Sequence, residues 1–297
     1  MAKSSIILIL FLLPHFVFAE QIKAPELTPA LTNQYDQAII DEGIALHDQG
    51  KYDEAVAKFK QVLEKSPGNV LAIYEMASSY FSAKKYEETL KTSYEGARYK
   101  SRYLSKFYLY IGNSLDELGK TDEAISAFRD ALNVVSTDPL IHFNLAVILM
   151  NSGKRTEAQL HFEKAIELNP THSSSHYALS QLYFEQGKRI SGNLAVFRFL
   201  SLEPSSIRSR KAIEILLGAE QPVSDVFNAM AELRKNNEEE FAADHYLPYF
   251  DALRQNNFEK TFTHYIYQSV NAASSTWIEQ HKDEVDAFEK WSKNYGQ

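Results

Sequence analysis

TDEAISAFRDAL, residues 121–132, returns as RTEAQLHFEKAI at 155–166, with Ala124 repeated as Ala158 and Phe128 as Phe162. An earlier copy, YDEAVAKFKQVL, spans residues 52–63. A fixed period of about 34 residues marks stacked helical hairpins, each too small to bury its apolar face alone. Stacking solves that problem and leaves a long concave surface, which suits binding better than chemistry.

Working outward from these copies, five units follow one another almost without linkers, at 36–69, 70–104, 105–138, 139–172 and 173–206. A small residue marks the second helix of each: Ala55, Thr89, Ala124, Ala158 and Gly192. Gly43, Ala77, Gly112, Ala146 and Ser180 mark the first helices, where two antiparallel helices must cross closely. Phe59, Phe128 and Phe162 then fill the space that the small residues leave. Gly-Lys turns at Gly50, Gly119, Gly153 and Gly187 separate the paired helices, because glycine adopts the left-handed conformation without a Cβ penalty. Lys84-Lys85 stands in that place in the second unit. Pro67, Pro170 and Pro204 close three units, since proline forbids continuation of the helix before it.

On these residues, 36–206 resembles a tetratricopeptide repeat domain. The resemblance implies an all-α fold, a right-handed superhelix of helical hairpins followed by further C-terminal helices. The second unit departs from the pattern at Thr89, Ser93 and Gly96, and the fifth at Gly192 and Val196. Both are expected to keep the hairpin with less regular packing. In such arrays the first helix of each hairpin lines the concave face. The candidate groove residues are therefore Tyr74, Phe81, Asn113, Phe143, Asn144, Tyr177, Gln181 and Phe184, with Ile40, Ile44, Ser78, Leu109 and Val147 on the same stripe. Aromatic anchors and backbone-bonding amides fit an extended peptide or a helix. The rival reading makes the same aromatic residues core. Some relatives clamp a chaperone's terminal carboxylate with lysines and asparagines. Asn113 and Asn144 resemble those asparagines, but Ile40, Tyr74 and Leu109 fill the lysine sites, so no carboxylate clamp is expected.

Composition sets the outer limits. With 44% hydrophobic and 24% charged residues, the 297-residue chain is ordinary globular material. Its net charge of -8 argues against nucleic acid as partner, and the basic run Arg98, Lys100, Arg102 is local. Lys3, the apolar run Ile6 to Leu13 and Val17-Phe18-Ala19 read as a signal peptide over 1–19, cleaved after Ala19. That segment is short and broken for a spanning helix, so no stable membrane span is expected after its removal, though an uncleaved anchor remains the alternative. The chain has no cysteine, hence no disulfide and no thiol for a lipid anchor. A periplasmic or secreted location follows.

Residues 20–35, with Pro25 and Pro29, form an extended lead-in, and 207–297 form a helical C-terminal region. Helical spacing there covers Ile207 to Leu217, Val223 to Arg234, Phe241 to Leu253, Phe258 to Val270 and Trp277 to Trp291. Val285 and Phe288 share a face with the tryptophans, so the last helix is expected to dock. This tail resembles the ends of exported bacterial repeat proteins, which implies no activity. Gly119-Lys120-Thr121 mimics a phosphate loop, but Ser114 occupies the place of its first glycine and Gly-Lys recurs at four turns. His172 and His176 share metal-ligand spacing without a matched third ligand and read as surface histidines. Glu238-Glu239-Glu240 with Asp244 and His245 is the densest titratable cluster, explained by a helix dipole as readily as by catalysis.

The expected function is an exported scaffold that binds a protein or peptide in its groove, in envelope assembly, secretion or a multiprotein complex. Enzymatic activity is not expected, and no cofactor or metal is called for. Two alternatives stay open: a self-assembling structural protein, with homo-oligomers formed through the C-terminal helices, and an enzyme with its site around Glu240, Asp244 and His245.

Overall fold

A computed structural model describes residues 22–218, 240–258, 260–262, 265, 276 and 278–295. The five hairpins run α1 (Gln34–Asp48) and α2 (Tyr52–Lys65), α3 (Val70–Ser82) and α4 (Tyr86–Ala97), α5 (Leu104–Glu117) and α6 (Thr121–Val134), α7 (Pro139–Asn151) and α8 (Arg155–Leu168), α9 (Ser173–Glu185) and α10 (Arg189–Leu202). Three further helices follow: α11 (Ile207–Gly218), α12 (Glu240–Gln255) and α13 (Lys282–Asn294). The signal peptide, the helix expected over Val223 to Arg234 and most of that expected over Phe258 to Val270 lie outside the described residues. No described helix is long and apolar enough to cross a membrane.

In the first, second and fourth hairpins the two helices start differently. Asn33, Asn69 and Asp138 cap α1, α3 and α7 by accepting from backbone N–H groups of the first turn. The second helices begin at lysines without side-chain caps; four of them place Asp53 and Glu54, Glu87 and Glu88, Asp122 and Glu123, or Glu157 in the first turn, and α10 places none. Those carboxylates offset the positive end of the helix dipole.

Every hairpin turn closes by the same pair of hydrogen bonds. Lys51 N–H donates to Leu46 O and Gly50 N–H to His47 O, and the pattern repeats through Lys188 to Tyr183 and Gly187 to Phe184. It requires a left-handed residue just past the helix. The four glycines take φ of 74–76°, and Lys84 takes φ 57° in the second hairpin. A side chain adopts that conformation at a cost, which the identical hydrogen bonds offset.

Inside the hairpins, Phe59 and Phe128 press on Gly43 and Gly112 so closely that a methyl at either glycine would overlap the ring. The second repeat carries Ser93, and the fifth Val196, where the other three carry that phenylalanine. Phe107, from the following helix, turns back onto Gly96 and supplies the missing ring. Thr89, Thr92 and Ser93 are buried on α4, and the hydrophobic core divides here. One cluster holds Ile39, Phe59 and Met76, and the other runs from Val70 to the C-terminal helices.

The lead-in is a strap laid across the loops between repeats. Glu26 and Leu27 N–H groups donate to Arg98 O, Lys100 N–H to Leu27 O, and Ala30 N–H to Gly68 O. Ile22 is buried in the larger core cluster. At the other end α11 starts at Ile207, one repeat length beyond the start of α9 at Ser173. Beyond it α12 and α13 pack on α10, burying Tyr249, Phe250, Val285 and Phe288.

Candidate functional site

The first helices place a line of rings along one side of the array. Tyr74 of α3 stacks on Tyr103 with centroids 4.7 Å apart and an interplanar angle of 19°. It also lies 6.1 Å from Tyr110 of α5. Tyr110 in turn meets Phe81 at 5.4 Å, and Phe81 meets Tyr86 at 5.7 Å. Each ring is half-buried, so one part packs and another faces solvent. Burial, with Tyr110 and Glu75 adding to it, pushes the Tyr74 hydroxyl up to about 12. The hydroxyl therefore stays protonated and can donate at any physiological pH.

Further along, Phe143 sits against Phe162 at 5.7 Å and His172 at 4.8 Å. Tyr177 lies 4.9 Å from Phe199, with the Arg208 guanidinium 5.9 Å from its ring. Phe184 fills the space beside Gly192, as the second-helix phenylalanines do elsewhere. Asn144 turns its amide back to Leu140 O in its own helix, at 2.8 Å. Asn113 and Gln181 are half-buried, as are Ile44, Ser78 and Val147. Ile40 and Leu109 are buried in the core, at 0% and 9% exposure, so they line nothing. Spacing within one helix did not single out Tyr103, Phe107 or Tyr110. The usable signal was the density of tyrosine between 99 and 110.

The histidines are not the surface residues expected from sequence. His176 is buried at 2% exposure; its Nε2–H donates to Pro170 O at 2.9 Å and its Nδ1 accepts from the Tyr246 hydroxyl at 3.1 Å. Burial, then the Arg198 charge, holds its pKa down at about 3. With one ring nitrogen donating and the other accepting, no lone pair is left for a metal. Nδ1 of His172 lies 2.7 Å from the Ser175 hydroxyl. Among the described residues no group of three or more His, Asp and Glu side chains is placed to hold a metal ion.

In the C-terminal cluster, Asp244 is exposed, while His245 stacks on Phe241 at 3.9 Å and donates from Nδ1 to Phe241 O. Glu238 and Glu239, with the side chain of Glu240, lie outside the described part. Arg198 of α10 is buried among hydroxyl, carbonyl and ring groups. Its guanidinium reaches Ser292 Oγ at 3.1 Å and Pro170 O at 3.4 Å, and lies 4.1 Å from the Tyr249 ring. These contacts join α10 to both C-terminal helices.

Models of the tetratricopeptide repeat match residues 46–92, 107–134, 139–172 and 161–188. No curated protein matches the chain in sequence. Among solved structures, Pseudomonas aeruginosa pilF superposes with a TM-score of 0.52 at 15% identity, over 71% of this chain and 96% of its own. A thermophilic tetratricopeptide-repeat protein of Thermus thermophilus gives 0.49 at 21% identity, over 61% and 99%. YrrB, described as a repeat protein with an unusual peptide-binding site, gives 0.45 at 18% identity, over 61% and 94%. At such identities the likeness is one of fold.

Proposed function

We infer that this chain, a tetratricopeptide-repeat protein, works as an exported scaffold that holds a segment of another protein in its groove. The observation that carries the reading is the half-buried aromatic row from Tyr103 through Tyr74 and Tyr110 to Phe81. Rigid rings with one face packed and another exposed lose little entropy on binding, and interface anchors are drawn from such residues. Envelope assembly, secretion or another multiprotein complex is the proposed setting. Export rests on Lys3, the apolar run 6–13 and Val17-Phe18-Ala19. Cleavage after Ala19 leaves Ile22 and the strap intact.

Capture of partners by the purified chain, compared with Tyr74→Ala and Tyr177→Ala, tests the groove. Each substitution should weaken binding of a captured partner by more than about 1 kcal/mol, the usual threshold for an anchor. Unchanged binding by both variants would remove the groove from the mechanism. Intact-mass measurement should find Glu20 as the first residue of a soluble exported form. A membrane-bound form that retains Met1 would replace export by anchoring.

A further inference from the structure

We propose that the groove of the first three repeats seats basic side chains, so that its occupant is a cationic peptide segment carrying arginine or lysine. The inference rests on the groove reading above and adds the chemistry of the partner. Aromatic faces are electronegative and attract a guanidinium or ammonium lying over them. The row formed by Tyr103, Tyr74, Tyr110, Phe81 and Tyr86 offers several such rings in succession. One cation of this chain already uses it. The Arg102 guanidinium lies 4.9 Å from the Tyr103 centroid and donates from Nη2 to its hydroxyl at 2.6 Å.

Carboxylates flank the same rings. Glu75 follows Tyr74 on α3 and is half-buried. Burial raises its pKa, and the neighbouring charge of Asp48 on α1 raises it further. Tyr86, at the other end of the row, has its hydroxyl pKa raised by burial and then by the nearby Glu117 of α5. Glu75, next to Tyr74 and close enough to act on its hydroxyl, would be stabilised by a cation seated over that ring. Lys106, exposed one turn before Tyr110, joins Arg102 as an opposing charge at that end of the row. The second half of the groove differs. There Phe143, Val147 and Phe184 present apolar surface, and two cations already have carboxylate partners, Arg208 over Tyr177 with Glu203 and Arg155 with Glu185. A segment with basic residues toward the first repeats and apolar ones toward the last therefore complements the whole surface.

The test uses the full mature chain and two short fluorescein-labelled peptides, one of arginine, leucine and alanine and one with each arginine replaced by glutamate. Fluorescence anisotropy should show the basic peptide bound about tenfold or more tightly than the acidic one, with the preference shrinking as salt is added. Glu75→Gln and Tyr74→Ala should each weaken the basic peptide by about fivefold, while Lys106→Glu should tighten it by about threefold. The Lys106 variant guards against misfolding as an explanation, because a damaged fold does not gain affinity. Equal binding of both peptides, or failure of the basic peptide to bind, overturns the cation preference. If a leucine–alanine peptide binds in a manner that depends on Tyr177 and not on Glu75, the preference falls and the groove reading stands.

Discussion

In the middle of the array, His142 directs Nε2 to Ser136 O at 3.3 Å and meets His161, on the partner helix of its own hairpin, Nδ1 to Nδ1 at 3.0 Å. One repeat later, at the array's end, His176 makes the same Nε2 contact with Pro170 O, but Tyr246, far along the chain, takes its Nδ1. Position 195, where repetition would place another His161, is a fully buried alanine. His142 thus finds its partner on the adjacent helix of its own hairpin. In the last hairpin Ala195 offers no such partner, so Tyr246 of α12 supplies it from a distant part of the sequence. Arg198 shows the same thing, reaching across to Ser292. The array is thus held by nearest neighbours, and the C-terminal helices by apolar packing on α10 together with long-range polar contacts at His176 and Arg198.

The sharpest way to break this contrast is to damage each side separately. Phe128→Ala should destabilise the array by roughly 3–5 kcal/mol, because it empties the space against Gly112 in the central repeat. The loss should appear in the urea midpoint of the helical signal and spread to both neighbouring repeats. A loss confined to one hairpin would mean that the repeats are not coupled. Arg198→Ala comes next. Hydrogen bonds to a charged group contribute about 1.5–3 kcal/mol each, and their removal should release α12 and α13. Hydrogen exchange should rise in 282–294 while α1 to α8 keep their protection. An equal rise in α1 to α8 would show the C-terminal helices to be part of one cooperative unit.

Acid provides the third probe. His176 is neutral in the fold, with its pKa at about 3 against an ordinary 6.5. Between those values the unfolded chain binds the proton and the fold does not, so stability is complete above pH 6.5 and declines as pH falls toward 3. The slope is at most about 1.4 kcal/mol per pH unit for one such group. Burial lowers His142 and His161 as well, so the array also weakens, but without a released domain. Tryptophan fluorescence should report C-terminal release at a higher pH than loss of far-UV dichroism, and His176→Gln should reduce that gap. Coincident acid transitions in the parent protein would contradict the separation. The smallest effect belongs to Lys154→Ala, which removes an exposed pair with Asp122 at 3.8 Å. Exposed pairs contribute little, so the melting midpoint should hardly move. A large shift would mean that edge ion pairs, and not the core, fasten one repeat to the next.

The groove was legible only in part. Spacing placed Tyr74, Phe81, Phe143, Tyr177 and Phe184 on the first helices, where they are half-buried beside their neighbours. It could not tell Ile40 and Leu109, which are buried, from Ile44 and Val147, which are not. Nor could it find Tyr103, just before α5, and Tyr110 within it, which join the row from the next repeat. A helix wheel reports direction around one axis. Exposure depends on how far the next axis is displaced, and that is set by side chains on both.

The amino-acid sequence by itself determined the helical hairpins, their order and the places where they turn. Each of those features comes from interactions within a helix or between adjacent ones, so the same residue types return with every repeat. Tertiary structure alone decided that Phe107 completes the second repeat, that the strap lies across the loops at Gly68 and Arg98, and that Tyr246 and Ser292 close the end of the array. The closures at Tyr246 and Ser292 join groups 70 and 94 residues apart, and no local spacing fixes such contacts. They form because buried donors and acceptors left over by the repeats must find partners wherever the chain can bring them.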